Sequence, residues 1–251
     1  MRRNDEVTVV TGGGRGIGAA VAVRLAEAGH DVAIGYARDG EAAGRGADRV
    51  RAAGRAAVTV RMDVSVEDDV HRLFDTAAEA LGPVTGLVNN AGITGPLGRF
   101  TETPTDVMRR VVDVNVMGSL LCARRAARDM STRYGGAGGA IVNISSGAST
   151  LGSPGEYVHY AATKAAVDTL TVGLAKELAP DGVRVNSVQP GMIVTGMHAA
   201  MGDAERPWRN PDRVPMRRPG EPVEVAGAVA WLLSPEASYT TGAVLRVSGG
   251  L

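Results

Sequence analysis

The chain has 251 residues, 44% hydrophobic and 22% charged, which fits one large globular α/β domain and excludes a disordered chain. Its 27 basic residues cancel its 27 acidic ones, leaving no electrostatic footprint for nucleic acid or an anionic membrane surface. The single cysteine, Cys122, excludes an intrachain disulfide and a cysteine-built zinc site, so a reducing, cytoplasmic compartment is expected.

Met1-Arg2-Arg3-Asn4-Asp5-Glu6 leads into a short apolar run, Val7 to Val10, too short for a signal-peptide core. No stretch is long and apolar enough for a membrane span. In chain order, Glu6–Val10 reads as a strand and about Gly16–Ala28 as a helix. Asp31–Tyr36 is a second strand and Glu41–Ala53 a helix; Ala56–Arg61 and Val66–Leu81 repeat the pair. Thr85–Val88 is a short buried strand, followed by one long helix over about Thr105–Thr132. The strand Ala140–Ile144, a helix over about Tyr157–Leu178, the strand Val183–Val188, the helix Pro222–Leu233 and the strand Ala243–Val247 complete the series. Apolar strands alternating with long helices predict a single doubly wound parallel sheet of Rossmann type, covered on both faces. Ligands of such sheets sit at the carboxyl ends of the strands, where the strand order reverses. The long irregular segment 191–220 reads as a substrate lid or, more plainly, as a surface insertion.

Between the first strand and first helix lies Thr11-Gly12-Gly13-Gly14-Arg15-Gly16-Ile17-Gly18. Glycines there let backbone amides approach a pyrophosphate, and the helix N-terminus favours the negative charge. No Gly-Lys-Ser/Thr follows, which excludes an ATP-type phosphate loop; a tight turn with no ligand is the plain alternative. Further on, Tyr160 and Lys164 stand four residues apart, on one face of a helix. A phenol is a weak acid near pKa 10, and an ammonium beside it favours the phenolate, bringing proton exchange with a substrate oxygen nearer working pH. Ser145 and Ser146 follow a buried strand at its carboxyl end, where a hydroxyl can polarise a carbonyl or simply form a turn. Asn115 interrupts an apolar helical stretch and reads either as a site residue or as a satisfied core amide.

Taken in order, the T-G-x-x-x-G-x-G turn at Thr11, Asn89-Asn90-Ala91-Gly92, the serine pair, Y-x-x-x-K and Pro190-Gly191 with Ile193 and Thr195 resemble the short-chain dehydrogenase/reductase family, over Val7 to Gly250. Within it, the 3-oxoacyl reductase and glucose dehydrogenase-like branch is the most similar. The resemblance implies reversible hydride transfer between a nicotinamide dinucleotide and a carbonyl or alcohol, with Asn115, Ser146, Tyr160 and Lys164 as catalytic tetrad. Tyr160 would give the proton, Ser146 hold the oxygen, Lys164 lower the tyrosine pKa and bond the nicotinamide ribose, and Asn115 support a relay water. It implies that Gly12, Arg15, Gly16, Ile17 and Gly18 bind the dinucleotide, that Asn89, Asn90, Ala91 and Gly92 stabilise the sheet and line the cofactor, and that Asp63 and Val64 meet the adenine. Pro190, Gly191, Ile193 and Thr195 would lie beside the nicotinamide, and a homotetramer would form through the helices at about Thr105–Thr132 and Tyr157–Leu178. Ser146 is one residue further from Tyr160 than is usual in the family, so a one-residue insertion is expected in the loop Gly147–Val158, with Ser145 in reserve.

For the cofactor, the acid that receives the ribose of NAD stands about eighteen positions beyond the last glycine, and Tyr36 occupies that place. Arg38 and Arg15 suit a 2′-phosphate, which favours NADP(H), with NAD(H) possible through Asp39. The sequence alternative is a non-catalytic dinucleotide sensor on the same fold. His159 points away from Tyr160 round the helix, toward packing or solvent; His30 and His71 read as surface residues and Cys122 as core. Met197, His198, Met201 and Trp208 are candidates either for touching substrate or for closing the lid, and no cluster has metal-ligand spacing.

Overall fold

The computed structural model describes residues 6–209 and 211–251. Met1–Asp5 and Asn210 therefore lie outside the described residues. Among the described residues seven strands form one sheet: β1 (Glu6–Thr11), β2 (His30–Tyr36), β3 (Ala57–Arg61), β4 (Val84–Asn89), β5 (Gly139–Ile144), β6 (Val183–Pro190) and β7 (Val244–Val247). Their order is β3-β2-β1-β4-β5-β6-β7 and every neighbouring pair is parallel. Crossovers between parallel strands need helices, and the chain supplies α1 (Gly16–Glu27), α2 (Gly40–Ala52), α3 (Glu67–Leu81), α4 (Thr105–Val112), α5 (Gly118–Met130), α6 (Ala148–Leu151), α7 (Val158–Leu178), α8 (Met197–Ala200), α9 (Arg206–Arg209) and α10 (Pro222–Leu233).

Side chains alternate across a strand, so each strand feeds two cores. Val10, Val32 and Ile34 pack under α1, α2 and α10 with Leu25, Val50 and Val229. Val7, Val9 and Ala33 face the other way, toward Leu73 and Phe74 of α3 and Cys122 of α5. Both faces being covered explains why the inner strands are apolar nearly throughout. Strand order reverses beside β1, where the chain leaves for β2 on one side and β4 lies on the other. The crevice at the carboxyl ends of β1 and β4 is where such sheets hold ligands.

Four expectations change. The single helix over Thr105–Thr132 is two helices joined by a π-helical turn, Asp113–Met117, and it ends at Met130. His30 is buried rather than on the surface: its ring bonds Thr8 Oγ1 at 2.9 Å and pairs with Glu6 at 3.0 Å. The segment 191–220 is not structureless. It carries α8 and α9, and Ile193 bridges Gly220 in parallel fashion. Finally, α6 forms a single helical turn directly after Ser146–Gly147, where a loop was expected. Among the described residues no helix is long and apolar enough to cross a membrane, and no group of three acidic, histidine or cysteine side chains can hold a metal ion.

Candidate active site

The carboxyl ends of β1, β4, β5 and β6 converge with the N-terminal half of α7. Tyr160 and Lys164 lie on α7, both almost fully buried, with the Lys164 Nζ 5.8 Å from the Tyr160 ring centroid. Lys164 Nζ donates to the Ile144 carbonyl at 2.7 Å, which ties α7 to the end of β5. The chain then runs through the two serines, and they diverge. Ser145 Oγ points back and donates to the Lys164 carbonyl at 3.1 Å. Ser146 Oγ accepts from Ala148 N–H at 3.2 Å, and it is the side chain that acts on the Tyr160 hydroxyl to lower its pKa. Ser146, Tyr160 and Lys164 are thus brought together despite the longer serine–tyrosine spacing.

Asn115 sits in the π-helical turn and is fully buried. Its Oδ1 accepts from Ile93 N–H at 2.9 Å, and its Nδ2 donates to Ile93 O at 2.9 Å and to Thr163 Oγ1 at 3.0 Å. Both amide protons are therefore engaged with protein groups, and the side chain braces the loop after Asn90 against α7. Its side-chain amide is satisfied by protein groups, as a core amide would be.

Burial sets the electrostatics. Desolvation pushes the Tyr160 phenol above the ordinary tyrosine range, with Ser146 offsetting part of that rise. Without a bound ligand the net direction is therefore upward, opposite to the lowering expected from Lys164. Lys164 itself is lowered from 10.5 to about 8 by burial, the Asp168 carboxylate working the other way. A depressed lysine costs stability while it is charged, so the penalty is fully present below about pH 8 and is relieved as pH rises from 8 toward 10.5. At 1.36 kcal/mol per unit the penalty is on the order of 3 kcal/mol. Losing the bond to Ile144 returns about 1 kcal/mol. Lys164→Met is accordingly expected to raise the melting temperature at pH 7 by roughly 5 °C, as thermal unfolding of the protein without added ligand will show. A lower melting temperature would refute the burial argument.

Around this centre the structure places the expected dinucleotide residues. Gly12 and Gly16 adopt φ of +64° and +53°, open to glycine and strained for other residues. The turn is anchored from below: Asn90 Nδ2 donates to Thr11 O at 2.9 Å and Gly12 O at 3.1 Å, and Ala91 N–H donates to Thr11 Oγ1 at 3.1 Å. A Cβ on Gly18 would come within 2.5 Å of both Asn90 Nδ2 and Gly12 O, so that glycine serves the turn's own packing. At α1 the Arg15 side chain makes no cap, no acid occupies the first turn, and the helical ladder begins at Ala19 N–H to Arg15 O. The amides of Gly16, Ile17 and Gly18 precede that ladder. A Cβ on Gly92 would sit 3.3 Å from Asn115 Oδ1 and 3.4 Å from Lys164 Nζ, and one on Gly16 would sit 3.4 Å from Thr195. Glycine at these two positions leaves the backbone bare beside Thr195 at one end and beside Asn115 and Lys164 at the other.

Asn89 shows the sheet-stabilising part of what was expected: its Nδ2 donates to Asn143 Oδ1 of β5 at 3.0 Å and to Ser119 O at 3.2 Å. Asp63 accepts from Ser65 N–H and Oγ, and Arg110 grips its other oxygen; burial raises its pKa, yet these partners more than offset it. Val64 turns its side chain inward, against Gly118. Asp39 caps α2 by accepting from Ala42 N–H at 2.8 Å. Gly191 packs on Ser248 and donates to Val247 O, while Pro190 O accepts from Gly147 N–H, so the end of β6 supports both the lid and the serine turn.

The segment 191–220 meets the start of α7 through a contact the sequence did not reveal. Arg206 Nη2 donates to Glu156 Oε2 at 2.6 Å and to the Tyr157 hydroxyl at 2.9 Å, and Tyr157 stacks edge-on against Tyr160 at 5.2 Å. His198 bonds Ile193 O and is buried, Met201 is buried as well, and Trp208 is exposed. His159 is buried on Thr94 O, the packing outcome.

Residues 12–251 match the family model described as Enoyl-(Acyl carrier protein) reductase. The oxidoreductase YgfF of Escherichia coli, which carries the description uncharacterized, is 46% identical over 97% of this chain and 99% of its own length. Glucose 1-dehydrogenase 2 of Bacillus subtilis is 36% identical over 98% of this chain and 94% of its own. The 3-oxoacyl-[acyl-carrier-protein] reductase FabG of Staphylococcus aureus is 37% identical over 97% and 96%. A short-chain type dehydrogenase/reductase from Mycobacterium marinum superposes with a TM-score of 0.91 at 35% identity, covering 98% of this chain and 94% of that one.

Proposed function

This chain belongs to the short-chain dehydrogenase/reductase family, and we propose that within it the enzyme uses NADP(H) to interconvert a carbonyl and a secondary alcohol, with Tyr160 as the proton donor and acceptor. One observation carries the reading: the Ser146 hydroxyl acts on the buried Tyr160 hydroxyl, holding its pKa down against burial, with Lys164 one helical turn further on. A nicotinamide dinucleotide supplies the hydride when bound. The residues from Gly12 to Gly18 with Thr195 would hold it, the amides at the start of α1 taking its phosphates and Lys164 its ribose. Substrate oxygen replaces Ser146 as the partner of the Tyr160 hydroxyl, Ser146 donates to the same oxygen, and the tyrosine proton moves to it as charge develops. The Lys164 ammonium beside the ring then stabilises the phenolate left behind. Asn115 keeps the loop bearing Gly92 in place beside both. A dinucleotide sensor would need none of this buried hydroxyl–ammonium pairing.

The preference for NADP(H) rests on the end of β2. Tyr36 stands where an acid would receive a free ribose, Asp39 is occupied in capping α2, and Arg15 and Arg38 are both exposed at that corner. A charge-assisted hydrogen bond contributes about 1.5–3 kcal/mol, so kcat/KM with NADPH is expected to exceed that with NADH by roughly 10- to 100-fold. Arg38→Asp should erase most of that gap. Scanning carbonyls and alcohols with both cofactors, read by nicotinamide absorbance, is the test; higher kcat/KM with NADH overturns the assignment of the two arginines.

A homotetramer is part of the same proposal. Met117 and Leu120, where the π-helical turn meets α5, and Val172 of α7 are exposed, as are Val223 and Trp231 of α10 and Val244 of β7. Exposed apolar residues on two separate groups of elements are what two independent two-fold contacts use. Sedimentation at a mass other than four chains refutes it.

A further inference from the structure

We propose that Asp168, Gln189 and Arg246 form a positioning device for Ser146, an inference that rests on the reading of Ser146 as a donor to the substrate oxygen. Asp168 follows Lys164 by four residues on α7, so Tyr160, Lys164 and Asp168 line one face of the helix. Its Oδ1 accepts from Ser187 Oγ at 3.1 Å and its Oδ2 from Gln189 Nε2 at 2.8 Å. Gln189 is buried within β6, and the same Nε2 donates to Ser149 Oγ at 2.8 Å. On its other side, Gln189 Oε1 accepts from Arg246 Nε at 3.2 Å and Nη2 at 3.1 Å. Arg246 closes the circuit by donating from Nη2 to Thr150 Oγ1 at 2.6 Å.

The circuit starts behind the catalytic helix, crosses two strands and returns to Ser149 and Thr150. Both belong to α6, the single turn that fixes Ser146. Ser149 N–H donates to Ser146 O at 3.0 Å, and the Ser146 hydroxyl accepts from Ala148 N–H. A helix of one turn does not stand alone, because nucleation costs more than its few bonds return. Hydrophobic anchoring is slight, since Ala148 is buried but Leu151 is 57% exposed. The polar circuit supplies what is missing. It also accounts for a departure in β6, where buried Ser187 and Gln189 occupy a strand type that is ordinarily apolar. A buried amide must be satisfied, and Gln189 is satisfied only with α6 in its observed place.

Gln189→Leu keeps the volume and removes the circuit's centre. It is expected to lower kcat by about 10- to 100-fold, the cost of a small misplacement of a reacting group, with NADPH affinity by fluorescence titration unchanged within twofold. Ser149→Ala, which removes only the final contact, should lower kcat in the same direction and serves if Gln189→Leu does not fold. The decisive measurement is a double-mutant cycle with Ser146→Ala, since a device acting through Ser146 has nothing left to position once that hydroxyl is gone. Losses that vanish in the Ser146→Ala background support the proposal. Losses that add in full, or wild-type kcat in both Gln189→Leu and Ser149→Ala while Ser146→Ala is inactive, overturn it and leave the reading of the site standing. Wild-type turnover in Ser146→Ala overturns both.

Discussion

Replacing Tyr160 by phenylalanine is expected to lower kcat by about 10²- to 10⁴-fold, the range of general acid–base catalysis, while dinucleotide binding stays within twofold. The substitution removes one oxygen and little else. The ring is buried, and its edge-on contact with Tyr157 at 5.2 Å is available to phenylalanine as well. Ser146 keeps its place without the lost hydroxyl, because its Oγ accepts from Ala148 N–H, and the wall of the site persists. Because burial holds the phenol above the ordinary tyrosine range, its proton is present throughout neutral pH. Carbonyl reduction, which needs that proton, should therefore stay flat across neutral pH, whereas alcohol oxidation, which needs the phenolate, should rise with pH. Tyr157 is the control. Its hydroxyl is held by Arg206 at the lid, so Tyr157→Phe should change KM more than kcat. Full turnover in Tyr160→Phe, or a larger kcat loss in Tyr157→Phe, places the proton donor elsewhere.

What was legible in the sequence is what local spacing encodes. Alternating β-branched runs and long helices have their own periods, which is why the seven strands and their parallel arrangement could be read directly. Tyr160 and Lys164 were legible for the same reason, since four residues on a helix means one face. The features missed depend on partners far along the chain. The π-helical turn exists where Asn115 binds Ile93 and Thr163, 22 and 48 residues away. His30 is buried because parallel register sets it opposite Glu6 and near Thr8. Asn89 turns into the sheet because Asn143 offers an acceptor there and itself donates to Thr171. The pKa of Tyr160 was misjudged for a related reason: spacing shows the ammonium nearby but not the burial, and burial dominates. Arg206 reaches Tyr157 and Glu156 across 49 and 50 residues, which no pattern within the lid announces.

The two serines separate a chemical role from a structural one. Ser146→Ala is expected to lower kcat by roughly 10²- to 10³-fold, the usual cost of losing a donor to a developing oxyanion. Ser145→Ala should leave kcat within a few-fold of wild type. The reason is the direction each hydroxyl takes. Ser145 is 2% exposed, its N–H continues the ladder of β5 by donating to Val188 O at 2.8 Å, and its Oγ is committed to the Lys164 carbonyl. Its loss removes one internal hydrogen bond, worth about 1 kcal/mol of stability, and shows in the melting temperature. Ser146 lies one residue further, beyond the strand, where the alternation of side chains carries its hydroxyl to the opposite side and onto Tyr160. Measuring kcat and melting temperature for both variants gives two crossed effects: one loses turnover and keeps stability, the other the reverse. If Ser145→Ala proves the slower enzyme, the donor to the substrate oxygen is Ser145, and the Lys164 carbonyl must release it when substrate binds.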